Sequence, residues 1–208
     1  MRTFTRLTSV IFFVLSLSML TWAAPAPLMQ GQKNERLHVL STRGHQDGSG
    51  GAKVVFGAVV DLKASVVAQA DVIGSIKDND LTRAQIEVND LIANVELCYT
   101  TIAELKDLNI DVKLKASIAG HVLVIIKAII KICASLTAKF GIQAFLELFA
   151  KLDASLKVLL RSFDVCMDGF LVVLAKLLVD TDLKALVEIK LVVCHDLFVL
   201  VRAAIGIV

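Results

Sequence analysis

From residue 53 onward, apolar residues recur at alternating intervals of three and four, the spacing that gathers them on one face of an α-helix. Five segments carry the pattern. The first, roughly 53–77, has Val55, Val59, Leu62, Val66, Ile73 and Ile76 on its stripe. The second, about 81–107, follows the capping sequence Asp78-Asn79-Asp80 and carries Leu81, Ala84, Val88, Leu91, Val95, Cys98, Ile102 and Leu105. Asn109 to Ala116 alternates briefly, but no partner strand is visible, so it reads as a loop or an early helical turn.

Ser117 is placed to cap a third helix that runs to about Lys139 through Val122, Ile125, Ile129, Ile132 and Leu136. Val124, Ile126, Ile130 and Cys133 lie off that stripe. A helix apolar around most of its circumference belongs at the centre of a bundle. Beyond Gly141, a fourth stripe comprises Ile142, Phe145, Phe149, Leu152, Leu156, Leu159, Phe163 and Cys166. It continues through Phe170, Val173 and Leu177, so the pattern predicts a helix that passes Gly169 unbroken. Asp180-Thr181-Asp182 then caps a last helix with Val187, Leu191, Cys194, Phe198, Val201 and Ile205, its apolar end docked on the rest. The expectation is all-α: a bundle of four to five long, amphipathic, antiparallel helices forming one domain over 53–208. Phrases such as Asp61-Leu62-Lys63-Ala64 and Asp182-Leu183-Lys184-Ala185 recur without a fixed spacing, which argues against a solenoid.

The first 52 residues lack this periodicity. Arg2 and Arg6 precede an uncharged apolar run, Leu7 to Leu20, which gives way to Thr21-Trp22-Ala23-Ala24-Pro25. That order is the one a secretory signal peptide uses, with cleavage expected after Ala23 and residues 1–23 removed. The run is shorter than the roughly 20 residues a spanning helix needs. Residues 24–52, with Pro25, Pro27, Gly44, Gly48, Gly50 and Gly51 among polar side chains, are expected to form a disordered tail. The two most apolar later stretches, Ile118–Leu136 and Leu191–Val208, are interrupted by Lys127 and Lys131, and by Asp196 and Arg202, and do not read as membrane spans.

Charge narrows the function classes. Loss of Arg2 and Arg6 with the leader leaves 20 basic and 20 acidic residues, a net charge of zero. No basic cluster neutralises phosphates, so no nucleic-acid partner is expected. The apolar fraction of 56% is high while aromatics make up only 6%, a composition suited to largely buried aliphatic helices.

Cys98, Cys133, Cys166 and Cys194 fall one to a helix. In an exported chain an even count reads first as disulfides. Residues face each other across a helical hairpin when they lie equally far from its turn. Cys166 and Cys194 are centred on Asp180, and Cys98 and Cys133 on the edge of the Asn109–Ala116 connection, whereas Cys133 and Cys166 centre inside a helix. The favoured pairs are therefore Cys98 with Cys133 and Cys166 with Cys194. None of the four forms a Cys-X-X-Cys pair with His partners, so zinc fits poorly.

Chemistry is otherwise sparse. Cys194-His195-Asp196 contains the residue types of a thiol hydrolase, but consecutive helical residues point about 100° apart and cannot converge on one substrate. His121 has no His or carboxylate at i+3 or i+4, as a metal pair on a helix requires. His38 and His45 lie in the tail. No phosphate-binding glycine loop and no Gly-X-Ser-X-Gly is present. No catalytic, cofactor or metal site is expected, nor any enzyme activity.

A leader ending Ala-Ala-Pro-Ala-Pro, a Gly-rich tail, and Val/Leu/Lys/Asp helices with few cysteines together resemble the uncharacterised small secreted helical proteins of mushroom-forming fungi. The resemblance implies an extracellular helical protein and carries over no site residues. The aliphatic excess leads to the functional expectation of a non-enzymatic bundle that binds an apolar small molecule in a cavity between helices, or a membrane surface. Lys127, Lys131, Lys151, Lys157 and Lys176, spaced among apolar residues, are suited to snorkel at such a surface. The rival expectations are a structural extracellular protein and a secreted effector acting through a protein partner.

Overall fold

Asp80 accepts a hydrogen bond from the Arg83 amide at 3.2 Å and starts a helix where the sequence places one. Asp111 does the same for the amide of Leu114 at 3.0 Å. In the computed structural model, which describes residues 48–207, such caps and the apolar stripes between them yield α1 (Gly48–Ser75), α2 (Leu81–Ala103) and α3 (Val112–Phe140). A 3₁₀ turn (Ile142–Phe145) follows, then α4 (Leu146–Cys166), α5 (Phe170–Leu177), α6 (Asp180–Glu188) and α7 (Val192–Ala204). The described residues contain no strand, so the fold is all-helical, with seven α-helices in place of four or five. The predicted signal peptide and most of the predicted tail lie outside the described residues; residues 48–52, also assigned to the tail, form the first turn of α1.

The extra helices arise from two breaks that apolar periodicity does not register. Gly169 adopts φ 69° and ends the helix expected to pass through it. The break is braced by Asp164, whose Oδ1 accepts the Leu171 amide at 3.0 Å, and by the Phe163–Phe170 ring pair at 5.0 Å. Lys190, at φ 65°, divides the predicted last helix into α6 and α7. The third helix starts about a turn and a half before Ser117, because Asp111 and not Ser117 is its cap. Its first residue, Val112, is 82% exposed and so falls outside the apolar stripe.

Consecutive helices are not all neighbours. α1 packs against both α2 and α3; α2 packs against α4; and α5 fills the space between α3 and α4. α7 covers α4 and α5, and α6 lies beside α7 with a lighter contact to α3. The core so formed contains Phe145, Phe149, Phe163, Phe170 and Phe198, all fully buried. α3 has the length and apolarity to cross a membrane, yet half of its most apolar window is buried within the fold, as expected of a central helix.

Polar side chains tie the layers at helix ends. The Lys139 ammonium donates to the carbonyls of Gly74 at 2.9 Å and Ile76 at 2.7 Å, satisfying orphan acceptors at the end of α1. Gln69 Nε2 donates to the Glu87 carbonyl at 2.9 Å, joining α1 to α2. At Gly51 the connection after α2 passes so close that a Cβ would lie 2.7 Å from Leu108 Cδ2.

Candidate functional site

The four cysteines are buried free thiols, none at disulfide distance from another. Both expected pairings are therefore corrected, and the topology explains why. Cys98 on α2 faces α1, its thiol 3.7 Å from the Ala58 carbonyl, while Cys133 lies on α3, a helix that makes no extensive contact with α2. Cys194 lies against Asp153, its amide 2.9 Å from Asp153 Oδ1. At a rise of about 1.5 Å per residue, Cys166 is roughly 20 Å further along α4. The symmetry about Asp180 fails because that residue opens α6 and is not the turn of a simple hairpin. Burial pushes the Cys98 thiol up to about 12, with the Asp61 charge adding to it. Burial, reinforced by Asp153, also raises Cys133 and Cys194, and burial alone raises Cys166. These are thiols held protonated, the opposite of an activated nucleophile.

What the structure does bring together is a polar clamp at the start of α7. The preceding residue, Leu191, has no side chain to cap the helix. Asp153 reaches across from α4 and substitutes for one. Its Oδ2 accepts the Val193 amide at 2.7 Å and its Oδ1 the Cys194 amide at 2.9 Å. Those are the second and third amides of the helix, the ones an N-cap side chain normally satisfies. Asp153 is only 2% exposed, and a buried carboxylate is tolerated when its oxygens are paired and it meets a helix N-terminus. The Cys194 thiol donates to the Asp153 carbonyl at 3.6 Å and faces the core, whereas His195 turns outward and pairs with Asp196 at 3.0 Å. The consecutive Cys-His-Asp residues thus diverge.

Sequence reasoning passed over Asp153, although a signal for it exists. It lies four residues after Phe149 and three before Leu156, an inward position that an aspartate does not occupy without a partner. His121 sits at the α1–α3 contact, its ring 5.6 Å from that of Phe56 and its Nδ1 3.4 Å from Lys63 Nζ. Desolvation, and then the Lys63 charge, lower its pKa.

The outer side of α7 is also largely apolar. Leu191, Cys194 and Phe198 are buried, while Val192, Val193, Val199 and Leu200 are exposed, Leu200 by 69%. At 100° per residue the exposed residues share one face with Ala203, and Asp196 is the single charge among them. The sequence-based expectation that the end of this helix is docked holds for one side of it only.

Two open hollows lie on the surface. One, of about 470 Å³, lies between α6 and α7 and is lined by Leu183, Val187 and His195. The other, of about 350 Å³, runs between α1 and α2, with Leu97 and Val54 at its sides and Cys98 among its lining residues. Among the described residues, no three His, Cys, Asp or Glu side chains gather closely enough to hold a metal ion. Comparisons with protein-family models and with curated proteins find no match.

Proposed function

We propose that this is an extracellular, non-enzymatic helical protein that binds a membrane surface through the outer face of α7. The carrying observation is the exposed apolar set Val192, Val193, Val199 and Leu200 on one helix face. An apolar helix face presented to water is the geometry by which interfacial helices lie in the boundary between headgroups and acyl chains. The export part of the reading rests on the order of residues 1–25 and on the resemblance to small secreted proteins. The lack of a basic cluster favours an uncharged or zwitterionic surface over an anionic one.

Flotation with phosphatidylcholine vesicles tests this. The protein is expected to rise with the vesicles, and Leu200→Lys is expected to weaken binding about tenfold, the cost of placing a second charge on a face where Asp196 already lies among the valines and leucine. A wild-type protein that stays at the bottom of the gradient removes the proposal.

A second reading is favoured by the α1–α2 hollow. A small apolar molecule seated there would touch Leu97 and Val54. Native mass spectrometry that found bound mass, lost on Leu97→Asp, would favour it over the membrane.

A further inference from the structure

The floor of the hollow between α1 and α2 is apolar, formed by Ala58 and Leu62 from α1 and Cys98 from α2, with Val54 and Leu97 at its sides. Gly57 opens it. That residue lies inside α1, where glycine costs helix stability, yet nothing within 4 Å would meet an added Cβ. No neighbouring atom demands a glycine there, and the space left by its missing side chain is part of the hollow.

The polar groups are sorted along its length. The Cys98–Ala58 and Asn94–Gln69 contacts fix the register of the two helices: as α1 runs from Ala58 to Gln69, α2 runs back from Cys98 to Asn94. Asp61 and Ser65, one turn apart on α1, therefore share one end of the hollow with Asn94. Asn94 Nδ2 donates to Gln69 Oε1 at 3.5 Å, which leaves its Oδ1 to accept. Among the described residues, the Asp61 carboxylate has no ion pair and the Ser65 hydroxyl no hydrogen bond. Burial first, and then the Asp61 charge, raise the Cys98 thiol, so the carboxylate lies within electrostatic reach of the floor. Thr101 Oγ1 is engaged with the Leu97 carbonyl of its own helix at 2.8 Å. Lys53, which brings the positive charge, stands at the far end, eight residues and about 12 Å from Asp61 along the helix.

We propose that this hollow binds an apolar primary amine, its ammonium held among Asp61, Ser65 and Asn94 and its hydrocarbon chain lying over Gly57 and Ala58 toward Val54. This deepens the second reading above and rests on it. An alkylammonium carries three donors and no acceptor, the complement of a carboxylate, a hydroxyl and an amide oxygen. Asp61 is exposed, so the bound ammonium keeps part of its hydration and no bare charge is buried. From Asp61 to Val54 is about 10 Å along α1, the length of an extended chain of about eight carbons at ordinary bond lengths. The volume of about 350 Å³ falls at the small end of ligand sites, which run from about 300 to 1,000 Å³. A fatty carboxylate in the same place meets repulsion from Asp61, and an alcohol forgoes the charge.

Octylammonium chloride, octan-1-ol and octanoate, titrated separately into the full chain at pH 7 and followed by amide chemical shifts, test this. Octylammonium is expected to shift amides around Gly57, Asp61 and Leu97, and to bind about tenfold tighter than either of the others. Asp61→Asn, at an exposed position, is expected to weaken octylammonium binding about tenfold and leave octan-1-ol unaffected. Gly57→Ala is expected to raise the melting temperature while weakening binding of the amine, because its methyl group occupies the space over the floor.

Equal affinity for octan-1-ol and octylammonium would keep the apolar-ligand reading and overturn the amine. Tighter binding of octanoate would also overturn it, placing the headgroup at Lys53. Gly57→Ala with undiminished amine binding would take the ligand out of this hollow. No shift with any of the three probes would overturn both the amine and the apolar-ligand reading beneath it.

Discussion

The four long helices and the three short ones that follow are held by different means. α1 to α4 contain 28, 23, 29 and 21 residues, long enough for a continuous apolar stripe to bury them against two neighbours. α5, α6 and α7 contain 8, 9 and 13, lengths at which an isolated helix is marginal. Side chains from elsewhere supplement them: Asp164 from α4 for the start of α5, Asp153 for the start of α7, and Lys127 from α3 for α6. Their outer surfaces differ as well. Val179, Val187, Val192, Val199 and Leu200 crowd the short-helix region, whereas exposed apolar residues on α1 and α2 are spread along much longer helices. The long helices make a frame whose sequence answers to its core. The short ones carry apolar surface beyond what that core takes up.

Thiol chemistry offers the largest expected effect. With the Cys98 thiol raised from 9.0 to about 12, its thiolate at neutral pH is about a thousandfold scarcer than that of an ordinary cysteine. Alkylation of the native protein is therefore expected to be slow at all four sites, with Cys166, raised by burial alone, labelled before Cys98, Cys133 and Cys194, each raised further by a carboxylate, read by mass spectrometry of peptides. Denatured without reductant, the protein is expected to take up four labels; no uptake would restore the two disulfide pairs.

Core truncation should separate the regions next. Phe149 and Phe198 are both fully buried, the first on α4 and the second on α7. Phe149→Ala is expected to cost about 3–5 kcal/mol and to lower urea stability of every helix together. Phe198→Ala is expected to cost less globally and to show a separate early loss of protection in α7. Identical single transitions for both variants would erase the distinction.

Two glycines give opposite signs at about 1 kcal/mol. Gly120 lies inside α3 with nothing within 4 Å of an added Cβ, so Gly120→Ala is expected to stabilise by about that amount. Gly169 is equally uncrowded, but at φ 69° a side chain is strained, and Gly169→Ala is expected to destabilise by a similar amount. Thermal unfolding of the two variants reads both signs.

The smallest effect concerns His121 in the frame. Its pKa in the folded state is depressed from 6.5 by desolvation and by Lys63, so below that pH the unfolded chain binds the proton more readily. Its contribution to stability is thus complete above about 6.5 and declines as the pH falls through and below that value. His121→Gln is expected to flatten the acid side of a melting-temperature profile slightly. A profile unchanged from wild type would place the titration elsewhere.

These contrasts match what the sequence made legible. Val55, Val59, Leu62, Val66 and Ile73 are all buried on α1, with Ile76 buried just past its end, and Phe149, Leu152, Leu156, Leu159 and Phe163 on α4, because a long stripe repeats its information every turn. Leu177 and Val187, assigned to stripes by the same rule, are exposed by 40% and 41%. Leu177 ends the short helix that the break at Gly169 creates and Val187 lies just before the break at Lys190; each break depends on one residue's backbone angle and leaves no periodic trace. The disulfide pairing failed for a related reason: symmetry about a turn presumes that consecutive helices are neighbours, and α2 and α3 are not. Asp153 was readable only as an anomaly, an acid in an apolar row, and its partners lie 40 residues away on a helix that the sequence joined to α6.

The neighbour relations of the long helices also bear on how the chain reaches this state. Only α1 and α2 can pair as a local hairpin; α1 with α3, and α2 with α4, must each find a partner across an intervening helix. Contacts of that separation defer their reward until a longer stretch of chain has been ordered, which slows folding relative to a bundle in which every helix docks on the one before it. Assembly is expected to begin with the α1–α2 pair, whose exposed flanks then receive α3 and α4 from either side, and to end with the short helices.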